Sequence, residues 1–94
     1  MSDQDFIKQA LELIKDVEVE SVEDLSGNRD EWQIFIKNHN AFYELTLIDD
    51  SWEITTNHNE WIDTISTGFE GAVAALSVYL LELKIEALAE NLKE

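Results

Sequence analysis

The first quarter of the chain changes from a helical to an alternating pattern of apolar residues. Apolar side chains recur at helical spacing over residues 6–17. Ser2 followed by Asp5 is typical of a helix start, because the hydroxyl accepts an early backbone N–H and the carboxylate favours the positive end of the helix. A first helix is therefore predicted over residues 3–16. Alternation over residues 17–22 then predicts a short strand at a sheet edge.

Alternation of apolar and polar residues is strictest in the middle of the chain. It predicts three half-buried strands, over residues 32–37, 43–47 and 52–55. Their apolar residues are expected to share the core face. The opposite face is predicted to carry Gln33, Glu44, Thr46, Glu53 and Thr55, with Phe35, Phe42 and Ile48 as apolar exceptions.

A common core face also sets the predicted strand register. Ile36 is expected opposite Tyr43, which leaves residues 39–40 as a two-residue turn. The next reversal falls at residues 49–50, where both aspartates tolerate positive φ. The three strands are therefore predicted to form an antiparallel meander.

One long helix is predicted at the end of the chain. Residues 57–66 fit a helical turn and a strand equally, and we expect a loop with a short extended piece. The sequence from Thr67 to Glu70 matches a capping box, and neither Gly nor Pro occurs over residues 72–94. The first half of this helix is apolar almost all round, as in a buried helix. The second half narrows to a stripe at spacings of four, three and four, formed by Leu81, Ile85, Leu88 and Leu92.

These elements predict one α+β domain over residues 1–94. Its order is an N-terminal helix, a short strand, a three-stranded antiparallel meander and a long C-terminal helix, with both helices on the apolar face of the sheet. The last helix, at about 26 residues and about 39 Å, is longer than such a meander covers. Its end is therefore expected to pack on a second chain in a homodimer.

Composition supports a folded protein without disulfides. Hydrophobic residues make up 45% of the chain and aromatic residues 10%, which is unlike an acidic disordered tail. There is no cysteine, so packing alone must hold the fold. The first residues lack the basic region of a signal sequence, and the longest apolar run is about half a membrane span. We expect a soluble cytoplasmic protein.

Charge is the strongest constraint on partners. The 94 residues include 21 acidic and six basic side chains, a formal charge of −15, and no basic residue lies between Lys37 and Lys84. Such a field repels nucleic acid and anionic membranes and attracts basic surfaces. Alternate strand residues such as Glu18 and Glu20 would stand about 6.6 Å apart on one side. The predicted partner-binding carboxylates are Glu18, Glu20, Glu23, Asp24, Glu44, Asp49, Asp50, Glu53, Glu60 and Asp63.

The sequence carries no catalytic signature. Three scattered glycines cannot form a phosphate-binding loop, and no serine lies in a nucleophile elbow. Adjacent carboxylates at residues 30–31 and 49–50 are the candidates for acid–base catalysis, but catalytic pairs need opposed environments in a cleft, and Asp49-Asp50 is typical of a solvated turn. We therefore predict a protein that is not an enzyme and uses no cofactor.

Each histidine lies in an Asn-His-Asn tripeptide, and this repeat has two interpretations. His39 and His58 are expected at the same end of the sheet, where Glu60 or Asp63 would complete a metal site. Asn and His are also common turn residues. The turn interpretation is favoured, so no metal is predicted.

The predicted function is that of a non-catalytic acidic binding protein, an inhibitor or nucleic-acid mimic that occupies a basic surface of a nucleic-acid-binding protein. A phage-encoded antagonist of bacterial defence is one such protein.

The alternative is a dimeric chaperone or immunity-type module that binds a protein client. Its hydrophobic interface would consist of Phe35, Phe42, Ile48, Leu81, Ile85, Leu88 and Leu92. A third interpretation of the acid is that it only keeps a small protein soluble. Steep salt dependence of binding would distinguish carboxylate docking from apolar docking.

Overall fold

A single five-stranded antiparallel sheet organises the protein, and both helices pack on one of its faces. The computed structural model describes residues 1–57 and 60–93. The strands lie in the sheet in the order of the sequence, β1 to β5. The elements are α1 (Asp3–Leu11), β1 (Val19–Asp24), β2 (Glu31–Ile36), β3 (Phe42–Ile48), β4 (Ser51–Thr56), β5 (Glu60–Ile65) and α2 (Phe69–Leu92).

The first helix begins as predicted and ends earlier. Ser2 Oγ accepts the backbone N–H of Asp5 at 3.1 Å, which confirms the predicted N-cap. The helix ends at Leu11, and the chain then turns over residues 12–16 towards β1. Asp16 has a φ of 67°, which no α-helical residue adopts. The predicted helical pattern therefore ran past the true end into this turn.

The β2–β3 register differs from the prediction by two residues. Ile34, not Ile36, lies opposite Tyr43, and the predicted two-residue turn is a longer loop. In the observed register Phe35 lies opposite Phe42, and their ring centroids are 5.5 Å apart. The predicted register would have separated this aromatic pair. A shift of two residues leaves every side chain on its predicted face.

The β3–β4 hairpin confirms its prediction. Leu47 pairs with Trp52, and Asp49 and Asp50 have φ values of 48° and 66°. Positive φ at both turn residues gives the twist that a two-residue hairpin needs.

The two edge strands were predicted less well. The first, β1, covers residues 19–24 instead of 17–22, with a register shift between Val19 and Ser21. The segment predicted as a loop with a short extended piece contains a six-residue strand, β5, which pairs with β4 along the opposite edge. A second register shift, opposite Ile54 and Thr55, interrupts the alternation of β5. The meander therefore has five strands where three and a short edge strand were predicted.

The C-terminal helix seals the core with an aromatic cluster. The ring of Phe69 lies 5.4 Å from Trp52, 6.3 Å from Trp32 and 5.9 Å from Phe6. The N-cap is Gly68, with a φ of 100° and no side-chain hydrogen bond, so the predicted capping box is absent. The helix continues beyond the sheet in an elongated molecule of 47 × 23 × 22 Å. Within the described residues, neither helix has the length and apolar character that crossing a bilayer requires.

Alkaline pH should weaken the fold through Tyr43. Burial, with a smaller effect from Tyr79, raises the pKa of the Tyr43 hydroxyl above its usual value of 10.0. Above about pH 10 the unfolded chain therefore loses a proton that the folded chain keeps, and the free energy of unfolding falls as pH rises. We expect Tyr43→Phe to flatten this fall in urea titrations above pH 10. Parallel pH profiles for both proteins would contradict this.

Candidate functional site

The face of the sheet opposite the helices carries the candidate site. Strand alternation places polar residues there in two adjacent cross-strand rows. One row runs through Glu23, Gln33, Glu44, Thr55 and Trp61, and the next through Glu31, Thr46, Glu53 and Thr64. We call the four glutamates of these rows, Glu23, Glu31, Glu44 and Glu53, the acidic face.

The acidic face has one glutamate on each of four adjacent strands. The glutamates alternate between the two rows, so each is a diagonal neighbour of the next, at about 7–8 Å between backbones. Glu31, Glu44 and Glu53 are half-buried, which restricts their side chains more than full exposure would. The sheet therefore holds the backbones of four like-charged residues in a zigzag, with neighbours about one Debye length apart at physiological salt.

Basic side chains lie elsewhere in the described part of the chain. Lys8, Lys15, Lys84 and Lys93 lie in or beside the helices, and Arg29 lies in the β1–β2 loop. Lys37 follows β2 and pairs with Glu18 at 3.3 Å, with both side chains exposed. The charge distribution therefore divides the molecule into an acidic sheet side and a mixed helix side.

Apolar side chains border the acidic face. The Phe35–Phe42 pair lies at one end and Ile48, which is exposed, at the other. Trp61 lies on the β5 edge, 61% exposed, and its indole Nε1–H donates to Thr64 Oγ1 at 3.0 Å. Exposed aromatic residues beside charge are typical of protein-binding surfaces.

The structure divides the ten predicted carboxylates. Glu23, Glu44 and Glu53 lie together on the acidic face. Asp49 and Asp50 form the exposed β3–β4 turn beyond Ile48 at the end of that face.

The remaining predicted carboxylates lie apart from this group. Asp24 accepts hydrogen bonds from Ser26 Oγ and from the backbone N–H of Gly27 and Arg29, at 3.0–3.2 Å, so it shapes the β1–β2 loop. Asp63 lies in a groove beside α2. Exposed positions at the two sheet edges are held by Glu18, Glu20 and Glu60.

Sequence reasoning missed two residues of this surface. Glu31 was considered only with Asp30 as an adjacent carboxylate pair, although it lies two residues before Gln33 and so belongs to the same strand face. Trp61 lies in the segment predicted as a loop with a short extended piece, so it was not assigned to a sheet face. Extending the alternation of β2 by one residue would have found Glu31.

The predicted hydrophobic interface is also divided. Phe35, Phe42 and Ile48 lie on the sheet face beside the glutamates. The other members lie on α2, exposed by 46–85%: Leu81, Ile85, Leu88 and Leu92.

The metal hypothesis is tested only in part. Among the described residues, no group of three His, Asp or Glu side chains is placed to hold a metal ion. His39 lies in the β2–β3 loop, at a groove whose other walls are Val17 and the middle of α2. His58 lies outside the described residues, so its predicted approach to His39 stays a prediction.

Comparisons with protein-family models, with curated proteins and with solved structures found no match for this chain. Its function must therefore be argued from the charge and shape of its surfaces.

Repulsion across the acidic face should be measurable at its centre. Glu44 lies between Gln33 and Thr55, with Glu31 and Glu53 as diagonal neighbours. We expect Glu44→Gln to raise the free energy of unfolding by about 0.2–1 kcal/mol at low salt, because it removes this repulsion. The gain should shrink in high salt, which screens exposed charges. Denaturant titrations at two ionic strengths measure it, and a loss of stability at low salt would contradict dominant repulsion.

Proposed function

We propose that this chain is a non-catalytic binding protein whose acidic face docks on a basic surface of another protein. The partner class that fits best is a nucleic-acid-binding protein, which the chain would inhibit by occupying the site for phosphates. The observation that carries the proposal is the zigzag of four glutamates on adjacent strands, on the sheet face opposite the helices.

Preorganisation supports this role. The backbones of glutamates on a sheet are held at fixed separations, so less conformational entropy is lost on binding than with glutamates on a flexible tail. Four like charges within about a Debye length of their neighbours also act together on an approaching basic surface. Fast, salt-dependent association is the expected consequence.

The aromatic border supports a protein partner. Arg side chains pair with carboxylates and also stack on aromatic rings. Trp61 and the Phe35–Phe42 pair lie within the same surface as the glutamates. An Arg-rich surface would therefore find both kinds of contact on this face.

Affinity capture tests the proposal. The immobilised protein should retain a basic nucleic-acid-binding protein from host lysate at low salt, and a salt gradient should release it. The purified partner should then bind duplex DNA or RNA in competition with this chain. A partner that stays bound at high salt, or that binds nucleic acid and this chain together, would contradict the proposal.

A second candidate function rests on a separate observation. Ile85, Leu88 and Leu92 expose more than half of their surface on α2. A chaperone or immunity-type module would use such residues to hold a protein client through apolar contacts. Binding that persists in high salt and is lost in Leu88 variants would favour this candidate.

A further inference from the structure

The last helix has a second apolar side that faces away from the sheet. Leu76 and Leu80 are buried in the core. Roughly 140° around the helix, at about 100° per residue, lies an exposed series at spacings of four, three, four, three and four. We call it the α2 seam: Ala74, Val78, Leu81, Ile85, Leu88 and Leu92.

The α2 seam has the pattern of a coiled-coil interface. Its residues follow the heptad repeat over 19 positions, with Val78 and Ile85 at a positions and Leu81 and Leu88 at d positions. Every residue of the seam except Ala74 is a large hydrophobic residue, and these five side chains are exposed by 46–85%. β-Branched residues at a with Leu at d favour two parallel strands.

Grooves that differ in charge flank the seam, and Asp16 lies beside the two lysines of the first in a neighbouring groove. A groove of about 500 Å³ lies between α1 and α2, and Lys15 and Lys84 line it. A groove of about 330 Å³ lies between β5 and α2 on the other flank, and Asp63 and Glu82 line it. Glu70 also lines the first groove, 14 residues and so about 21 Å from Lys84 along the helix.

We propose that the α2 seam binds the α2 seam of a second copy of this chain, with the two helices parallel and in register. In a parallel pair with two-fold symmetry, each flank of one helix meets the opposite flank of its partner. The lysine groove of each copy then faces the Asp63 and Glu82 groove of the other. In an antiparallel pair each groove would instead face the same groove of the partner, and charges of the same sign would meet. Charge complementarity and heptad composition therefore both favour the parallel orientation.

The available area fits a moderate dimer. The seam is about 27 Å long at 1.5 Å per residue. With a molecular width of about 23 Å, each copy offers at most roughly 600 Å². The total of at most about 1,200 Å² reaches only the lower bound of stable interfaces, so we expect a dimer that dissociates at micromolar concentrations. The acidic faces point away from this contact, and the seam shares no residue with them.

Sedimentation across micromolar concentrations tests the dimer. Wild-type protein should shift from monomer to dimer, and Leu88→Asp should remain a monomer with an unchanged circular dichroism spectrum. Ala87→Asp is the matched control, since it adds the same charge on the core side of the helix and should still dimerise. A wild-type monomer throughout this range would overturn the proposal.

Single cysteines test the orientation, because the chain has none of its own. Val78→Cys and Leu92→Cys should each form a disulfide-linked dimer under mild oxidation, since each faces its own copy in a parallel pair. An antiparallel pair centred on the seam would place each far from its counterpart. A dimer that links at neither position would overturn the parallel arrangement.

Exchanging the charges on the two flanks of the α2 seam tests whether charge complementarity between the grooves stabilises the dimer. Lys84→Glu should weaken dimerisation roughly two- to tenfold. Adding Glu82→Lys should restore it, because the flanks become opposite in sign again. Equal dissociation constants for wild type and Lys84→Glu would contradict the role of the grooves. Because the α2 seam shares no residue with the acidic face, either proposal can fail while the other holds.

Discussion

Replacing Leu45 by Ala should lower the free energy of unfolding by about 2–5 kcal/mol, the cost of removing a fully buried leucine side chain. Leu45 lies on the central strand, paired with Trp32 on one side and Ile54 on the other, and it is 0% exposed. The cavity would open in the close-packed core between the sheet and the helices, which can collapse only partly to fill it. Urea titration followed by tryptophan fluorescence measures the loss.

Leu47→Ala is the matched control, since it makes the same change two residues further along β3. Leu47 is 40% exposed at the end of the strand, so its replacement should cost less than half as much. Equal costs, or a cost below about 1 kcal/mol for Leu45→Ala, would show that the core is not where this account places it.

The second large effect is expected on binding. Converting Glu31, Glu44 and Glu53 together to Gln should leave the fold intact, because all three lie on the outer face of the sheet. We expect the affinity for the captured partner to fall roughly tenfold to thousandfold, at about 0.5–1.5 kcal/mol for each lost charge. Isothermal titration or surface binding at low salt measures the change.

A charge-matched control separates position from net charge. Asp16→Asn, Glu86→Gln and Glu90→Gln also remove three charges, at exposed positions on the helix side. Asn tolerates the positive φ of Asp16. This control should bind nearly as well as wild type. If both triple variants lose the same affinity, the acid acts only through net charge and the acidic face has no special role.

Alternation predicted the faces of the sheet better than its register. The β3–β4 register followed from the pattern because Asp49 and Asp50 suit a two-residue turn. The β2–β3 register did not, because a shift of two residues conserves the faces and the Phe35–Phe42 contact then decides between registers. Which carboxylates share a face was therefore predictable for Glu44 and Glu53.

Edge strands and loops obscured the rest of the site. A register shift beside β5 breaks its alternation, so Trp61 could not be assigned to the outer face from sequence. Asp24 and Glu23 are adjacent acidic residues that the sequence does not distinguish, yet the carboxylate oxygens of Asp24 accept hydrogen bonds from the following loop. Such partners depend on how the loop closes, which neither charge nor periodicity encodes. The outward side of α2 was seen only from Leu81 onwards, because Ala74 and Val78 merge with the apolar run of the core.

The association rate with the captured partner, measured over a range of ionic strength, tests the central claim most directly. If the acidic face steers and docks the protein, wild type and the helix-side control should associate quickly at low salt and slow steeply as salt rises. The Glu31, Glu44 and Glu53 triple variant should associate slowly at every ionic strength, with a shallow slope. The same steep slope for all three proteins, or a flat one for wild type, would contradict a binding role for this face.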